Sequence, residues 1–272
     1  MSCYLITGGA GFFGTVLKQH LLKQGAECVS IDLEPDSFQH PRFTAYQGDI
    51  NDDSLMEKIF SVHKPEAVFH CAALLAHVKK DLKRLWHANV DGTRNVYDFA
   101  LKYGVKKIVF ISSNCLWAKN FDSPVTEDEE PNPVEIYGKS KLEGEKILLS
   151  QPDKINSIIF RSPTIMDEGR LGLLGILFEF IDEGRKLPMV GDGTNRYQFI
   201  YAKDLAKACE LALAADYSEI FNIGADDVKS FNEVYQYVIN KSGSGSRLFH
   251  FPKLPMIWAM KVCFWLGISP LG

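Results

Sequence analysis

Apolar residues follow two rhythms along this chain, and the rhythms alternate. Cys3 to Thr7 is a short apolar run that ends in glycines and reads as a strand. Phe13, Val16, Leu17 and Leu21 then recur at helical spacing within 12–24, and Gly25 can stop that helix. The same succession continues down the chain. Strands are predicted at 27–32 (ECVSID, ending in an acid), 43–46, 67–71 (AVFHC), 107–112 (KIVFIS) and 155–161. Helices are predicted at 53–62, 82–103 and 135–149. Past Arg161 the rhythm changes. Residues 169–193 are glycine-rich with a helix inside, and 203–215 form another helix with Asp204 near its first turn. Residues 219–223 read as a further strand, and those from 230 onward as mostly helical.

Strands alternating with helices in this order predict an α/β fold on a doubly wound parallel (Rossmann) sheet. The near-continuous Val, Ile and Phe content of the later strands fits a sheet covered on both faces. Residues 1–163, with returns near 194–224, make the expected main domain. Residues 164–193 and 225–272 make a smaller C-terminal, substrate-facing region. The acidic, proline-bearing piece 122–133 is expected to be a surface loop feeding the helix at 135–149. The chain stops at Pro270-Leu271-Gly272 with no polar tail, so it is expected to end before the natural domain does.

Composition narrows the classes. With 272 residues, 46% of them hydrophobic, the chain can bury a substantial core. A net charge of -4 and the absence of a basic block argue against nucleic acid as the main partner. The cysteines (Cys3, Cys28, Cys71, Cys115, Cys209, Cys263) have no CxxC spacing. Reduced thiols in a cytoplasmic protein are expected, with no zinc site and no disulfide framework. The N-terminus runs straight into a strand, so a cleaved signal peptide is not expected. Phe251 to Leu266 is strongly apolar, but Pro252, Lys253, Pro255 and Lys261 interrupt it. It falls short of the ~20 residues that cross a bilayer, so no stable membrane span is expected. It reads as a C-terminal helix packed on the core or capping a cleft, or as a contact for a lipid-like substrate or membrane surface.

Two motifs carry chemistry. The first is Thr7-Gly8-Gly9-Ala10-Gly11-Phe12-Phe13-Gly14, with Gly8, Gly11 and Gly14 spaced G-x-x-G-x-x-G directly after a strand. Glycine lets the chain turn tightly and lets backbone approach a pyrophosphate, while the following helix aims its free N–H groups at that phosphate. A strand-to-helix turn that binds nothing has the same glycines. Asp32 closes the second strand, where an acid accepts from both ribose hydroxyls and repels a 2′-phosphate. That favours NAD over NADP. Asp49 could accept from the adenine amino group or stay solvated, and Ala72-Ala73 are small enough to lie under a cofactor or serve as packing.

The second motif is Tyr137-Gly138-Lys139-Ser140-Lys141. Residues four apart share a helix face, so Tyr137 and Lys141 point into the same space. Depressing a phenol from its reference pKa of ~10 toward neutrality takes about 4 kcal/mol, and a neighbouring ammonium and an oxidised nicotinamide push that way. Lys141 can also hold the ribose hydroxyls. Ser113, at the end of the fifth strand, would bond the substrate oxygen, and sheet topology puts such strand ends at the cofactor crevice.

Together with TGGAGFFG (7–14) and YGKSK (137–141), the chain carries GDI (48–50), HCAA (70–73), NVDGT (89–93), ISS (111–113) and GDGTNRYQFIYAKDLAKA (191–208). In content and order it resembles the extended short-chain dehydrogenases/reductases of the NAD-dependent epimerase/dehydratase group. The resemblance implies a catalytic triad of Ser113, Tyr137 and Lys141. It implies NAD contacts at Gly8, Gly11, Phe12, Phe13, Asp32, Asp49, Ile50 and Ala72, with Pro163 near the nicotinamide, and a role for Asn89 in steadying the helix beside the site. A homodimer through the helices at 82–103 and 135–149 is also implied.

The sequence departs from the family pattern in two places. Sugar dehydratases of the family place Asp-Glu after the hydroxyl residue, where this chain has Asn114 and Cys115, so 4,6-dehydration is disfavoured. One branch, similar to GDP-fucose synthase, uses a cysteine there for proton transfer; Cys115 is otherwise read as a buried packing thiol. Sugar-nucleotide members often carry Arg-Asp before the F-x-Y-V-x-D segment, where this chain has Asn195-Arg196-Tyr197-Gln198-Phe199. Arg196 and Arg170 could each pair with a diphosphate or be surface arginines. Asn114, Arg170 and Arg196 are therefore the substrate-side candidates. The leading expectation is an NAD-dependent epimerase of a nucleotide sugar. A dehydrogenase of a hydrophobic, 3β-hydroxysteroid-like alcohol is the alternative, motivated by 251–266, and a non-catalytic NAD-binding protein is the third.

Overall fold

A computed structural model describes residues 2–75, 81–117, 121, 123–168, 170, 173–253, 255 and 258. In chain order it runs β1 (Cys3–Thr7), α1 (Phe12–Lys23), β2 (Glu27–Asp32), β3 (Phe43–Gln47), α2 (Asp53–His63), β4 (Ala67–His70), α3 (Leu82–Trp86), α4 (Gly92–Lys102), β5 (Lys107–Ser113), α5 (Ile136–Leu148) and β6 (Asn156–Ser162). There follow β7 (Thr164–Met166), α6 (Leu173–Asp182), β8 (Leu187–Val190), β9 (Phe199–Tyr201), α7 (Ala202–Ala212), β10 (Glu219–Asn222), α8 (Phe231–Ser242) and β11 (Leu248–Phe251). The chain divides into two compact units, Met1–Ile165 with Ile200–Gly224, and Met166–Phe199 with Ala225–Gly272.

The first unit is built on a seven-stranded parallel sheet in the order β10-β6-β5-β4-β1-β2-β3. Alternation along each strand sends neighbours to opposite faces. Leu5, Val29, Val68 and Ile108 pack with Met56, Ile59 and Phe60 of α2, Val96 and Ala100 of α4, and Ile147 and Leu148 of α5. Ile6, Cys28, Phe69 and Val109 pack on the other side with Phe13, Leu17 and Leu21 of α1 and with Leu205, Ala206 and Cys209 of α7. The doubly wound fold expected from the strand rhythm is therefore present. The order reverses at β1, which has β2 on one side and β4 on the other. Thr7 pairs with His70 across that reversal, so the glycine turn and the residues after His70 leave the sheet side by side. A crevice at such a reversal is where doubly wound sheets bind ligands.

The predicted helix at 82–103 is continuous in direction but not in type. His87–Asp91 form a π-helical turn between α3 and α4. Apolar spacing is too coarse to register one widened turn; its cause is tertiary and involves Asn89, as described below.

In the second unit, Ile181, Leu187, Met189, Tyr235 and Ile239 form a small core. Ser230 and Glu233 make a reciprocal capping box at the start of α8. The helix expected from 230 onward is present as α8, and a strand that was not expected follows it. α8 ends at Ser242, Gly243 takes φ 66, and β11 then pairs in parallel with β8. The partner strand lies about 60 residues upstream, so no local pattern announced it. Among the described residues no helix is long and apolar enough to cross a membrane. Most of the apolar run 251–266, and Cys263 with it, lies outside the described residues.

Candidate active site

The glycine turn is shaped by sterics. Gly8 has φ 72, and a Cβ there would lie 2.8 Å from the Ala72 amide nitrogen. A Cβ on Gly14 would come 2.1 Å from the Gly8 carbonyl oxygen. No side chain caps α1, whose N-cap is Gly11, and a helix N-terminus of this kind suits an anion. Asp32 closes the turn from the neighbouring strand. One carboxylate oxygen accepts from the Ala10 and Gly11 amides at 3.0 and 3.2 Å, and the other from Glu34 at 3.1 Å. A bare helix N-terminus, a backbone stripped of Cβ atoms and a fixed carboxylate at the next strand end form a donor set that fits an adenine dinucleotide.

Other nucleotide-side candidates are distributed around the turn. Phe13 is buried in the α1–α7 core, so only its main chain can face a phosphate. Ile50 is buried on the opposite face of the sheet. Asp49 accepts from the Asn51 amide and side chain at 2.9 and 3.1 Å. Ala72 is half-buried, and its amide donates to Thr7 Oγ1 at 3.2 Å. Pro163 is buried between β6 and β7.

Ser113 ends β5 and caps the short 3₁₀ turn Asn114–Leu116, its Oγ accepting from the Cys115 amide at 3.1 Å. Its hydroxyl proton remains free to donate. The start of α5 lies against that turn, because a Cβ on Gly138 would sit 2.3 Å from the Cys115 carbonyl oxygen. This contact seats the start of α5, which carries Tyr137, against the turn that follows Ser113. Tyr137 is half-buried, and Lys141, one turn further, is buried with its ammonium 4.3 Å from the Phe110 ring centre. Burial lowers the Lys141 pKa to about 8 against the opposing pull of Cys71 and Glu145, which leaves it charged at neutral pH.

A polar chain adjoins these residues, and of its members only Asn89 was expected from the sequence to act on the helix. Thr7 Oγ1, which accepts from Ala72, donates to His70 Nδ1 at 2.6 Å. His70 Nε2 lies 2.8 Å from Thr93 Oγ1, whose own proton goes to the Asn89 carbonyl at 2.6 Å. Proton bookkeeping therefore makes His70 the neutral Nε2–H tautomer. Burial, then Lys141, lowers its pKa to about 3, in agreement. Asn89, inside the π-helical turn, accepts from the Leu74 amide at 2.7 Å and donates to the Leu74 carbonyl and Ser140 Oγ, each at 3.0 Å. Ser140 donates on to the Tyr137 carbonyl at 2.8 Å. Asn89 thus ties the segment after β4 to the tyrosine helix, which is the tertiary reason for the widened turn. The HCAA and NVDGT motifs contained these residues; that they bond to one another was not legible in them.

A family model described as NAD dependent epimerase/dehydratase family matches residues 4–224. The chain belongs to that family. It is 37% identical over 271 residues to the uncharacterized protein y4nG of Sinorhizobium fredii, covering 98% of this chain and 67% of the relative. The UDP-glucose 4-epimerase of Thermotoga maritima, solved with UDP-glucose, superposes with TM-score 0.80 at 27% identity, covering 92% of this chain and 85% of that one. The enzyme WbmG of Bordetella bronchiseptica, solved with NAD and UDP, does so with TM-score 0.80 at 25% identity, covering 90% and 80%. NAD is the cofactor of this family member.

Four further candidates of this epimerase/dehydratase chain are Asn114, Cys115, Arg170 and Arg196. Asn114 is half-buried beside Ser113. Cys115 is exposed, which corrects the reading of a buried packing thiol. Its thiol is displayed because the 3₁₀ turn points Leu116 inward instead. Arg170 and Arg196 belong to the second unit and are both exposed. Arg196 donates to the Val228 carbonyl at 3.0 Å.

Proposed function

We propose that this protein is an NAD-dependent epimerase of a nucleotide sugar, with Tyr137 as general base. The observation that supports the reading is the approach of α5, which bears Tyr137 and the buried Lys141, to the turn after Ser113. NAD, held at the glycine turn and Asp32, would supply a reversible hydride acceptor for the carbinol carbon. Tyr137, as phenolate, takes the hydroxyl proton from the sugar and later gives it back. Ser113 donates a hydrogen bond to the same oxygen as it becomes a ketone, and Lys141 keeps the phenolate charged and holds the ribose. Reduction of the ketone on its other face would invert the carbon with no net redox change. The relatives solved with UDP-glucose or UDP support a diphosphate-linked sugar as substrate. Arg170 and Arg196 are its proposed diphosphate partners, and Asn114 a proposed contact to the sugar. The second unit is the proposed substrate-binding region. A cytoplasmic homodimer formed by the 82–103 and 135–149 helices completes the proposal.

Neither Asn114 nor Cys115 is a carboxylate, which supports epimerisation over 4,6-dehydration. The test is a panel of UDP- and dTDP-sugars and sterols, followed by thermal shift with NAD present and by product analysis. Inversion of a nucleotide sugar without released NADH, abolished in Tyr137→Phe, is the expected result. Net NADH release from an apolar alcohol alone would favour the dehydrogenase instead. Full activity in Tyr137→Phe would remove the proposed base.

A further inference from the structure

Next to Ser113, Tyr137 and Lys141 lies a buried ion pair that the reaction just described does not use. Glu145 stands on α5 one turn beyond Lys141, and Arg161 stands on β6 two residues before Pro163. Both side chains are buried. Arg161 donates to Glu145 through its terminal nitrogen at 2.9 Å and through Nε to both carboxylate oxygens at 3.2 Å. The hydroxyl of Ser112, the residue before Ser113, donates to the same carboxylate at 2.5 Å. Arg161 also donates to the Glu127 carbonyl at 3.4 Å and lies 5.2 Å over the Trp117 ring.

One carboxylate therefore ties together β5, which carries Ser113, α5, which carries Lys141, and β6, which leads into Pro163. A buried ion pair is a poor way to gain stability, because desolvating two charges offsets much of their attraction. An apolar pair of similar volume would hold the helix to the sheet as well. What the ion pair supplies beyond packing is direction, from a planar fork and fixed hydrogen bonds, and charge.

We propose that Glu145 and Arg161 are a positioning pair for the reaction, fixing α5 against β5 and β6 so that Tyr137 meets Ser113, with the Glu145 carboxylate one turn behind the Lys141 ammonium. The inference rests on the Tyr137 reading above. The groups that act on Lys141 are Glu145 on its own helix and Cys71 after β4, and Lys141 in turn acts on His70 of β4. Glu145 supports the ammonium, Cys71 is a thiol pushed up to about 12, and His70 is neutral. Removing both members of the pair therefore subtracts support from the ammonium, and with it from the phenolate.

The test uses the NAD-loaded protein and needs no substrate. Phenolate absorbance is titrated against pH in wild type and in Tyr137→Phe, and the difference reports Tyr137. The pair is then replaced by Glu145→Gln with Arg161→Met, which keeps a partner for Ser112 and leaves no charge unpaired. The expected result is a folded protein that binds NAD within about threefold of wild type. Its Tyr137 step should lie ~1 pH unit higher. Where UDP-glucose turns over, kcat should fall about tenfold with KM little changed. A Tyr137 step at its wild-type pH in this variant would overturn the positioning role and leave the base intact. Should the double variant not fold, Glu145→Gln alone is titrated in its place; it removes the carboxylate charge behind Lys141 and keeps a partner for Ser112, and an unshifted step there overturns the proposal equally. Absence of any Tyr137 step below pH ~10 in wild type would overturn the base itself, and the pair with it.

Discussion

The Lys141 ammonium sits 4.3 Å from the centre of the Phe110 ring, in surroundings dry enough to bring its pKa from 10.5 to about 8. Below about 8 the lysine is charged in both folded and unfolded chains, and burying that charge costs roughly 3 kcal/mol. Between about 8 and 10.5 the unfolded chain holds a proton that the folded chain lacks, so the cost fades as pH rises. Lys141→Met should accordingly stabilise the cofactor-free protein at pH 7 by about 2 kcal/mol, with the gain shrinking toward pH 10. The same variant should lose epimerisation. Urea unfolding at several pH values, beside the activity assay, checks both halves.

His70 responds to acid. Its folded pKa of about 3 lies below the ordinary 6.5, so between those values the unfolded chain binds the extra proton. Stability contributed by this site is intact above pH 6.5 and falls as pH drops, by about 1.4 kcal/mol per pH unit. The imidazole resonances of His70 should stay those of the neutral Nε2–H tautomer down to pH 5. A titration near 6.5 would contradict the Thr7–His70–Thr93 bond order.

Gly138→Ala tests the close approach behind the site. The added methyl would meet the Cys115 carbonyl at 2.3 Å, and main chain has little room to yield. A loss of about 1–3 kcal/mol in stability is expected. Activity should fall further than stability alone explains, because the methyl pushes the start of α5, which carries Tyr137, away from the turn after Ser113. Turnover measured well below the melting temperature separates the two effects.

Asp32→Ala removes the acceptor for three main-chain amides and the carboxylate that would repel a 2′-phosphate. NAD affinity should weaken about tenfold or more, and the preference for NAD over NADP should shrink by at least as much. Calorimetric titration of both cofactors reads the two numbers directly. Unchanged affinity and preference would place the ribose elsewhere.

Much of the fold could be read locally. The strand and helix rhythm of the first unit follows from side-chain periodicity, and a parallel sheet covered on both faces needs near-continuous apolar strands. The glycine turn and the Tyr137–Lys141 spacing were visible because their geometry is set within a few residues. The parallel pairing of β8 with β11 was not, since its two halves are far apart in the chain.

Burial of individual polar groups was equally silent. Nothing around Lys18 marks it as enclosed, yet its ammonium donates to the Gly9 carbonyl at 3.1 Å and to Asp36 at 2.5 Å behind the glycine turn. The amino-acid sequence on its own determined which elements form and which residue types stand ready at the strand ends. The packed structure alone decided the His70 tautomer, the charge state of Lys141 and the clasp of Glu145 on Arg161. Those properties depend on the desolvation and direction that neighbours distant in the chain impose, and a one-dimensional pattern carries neither.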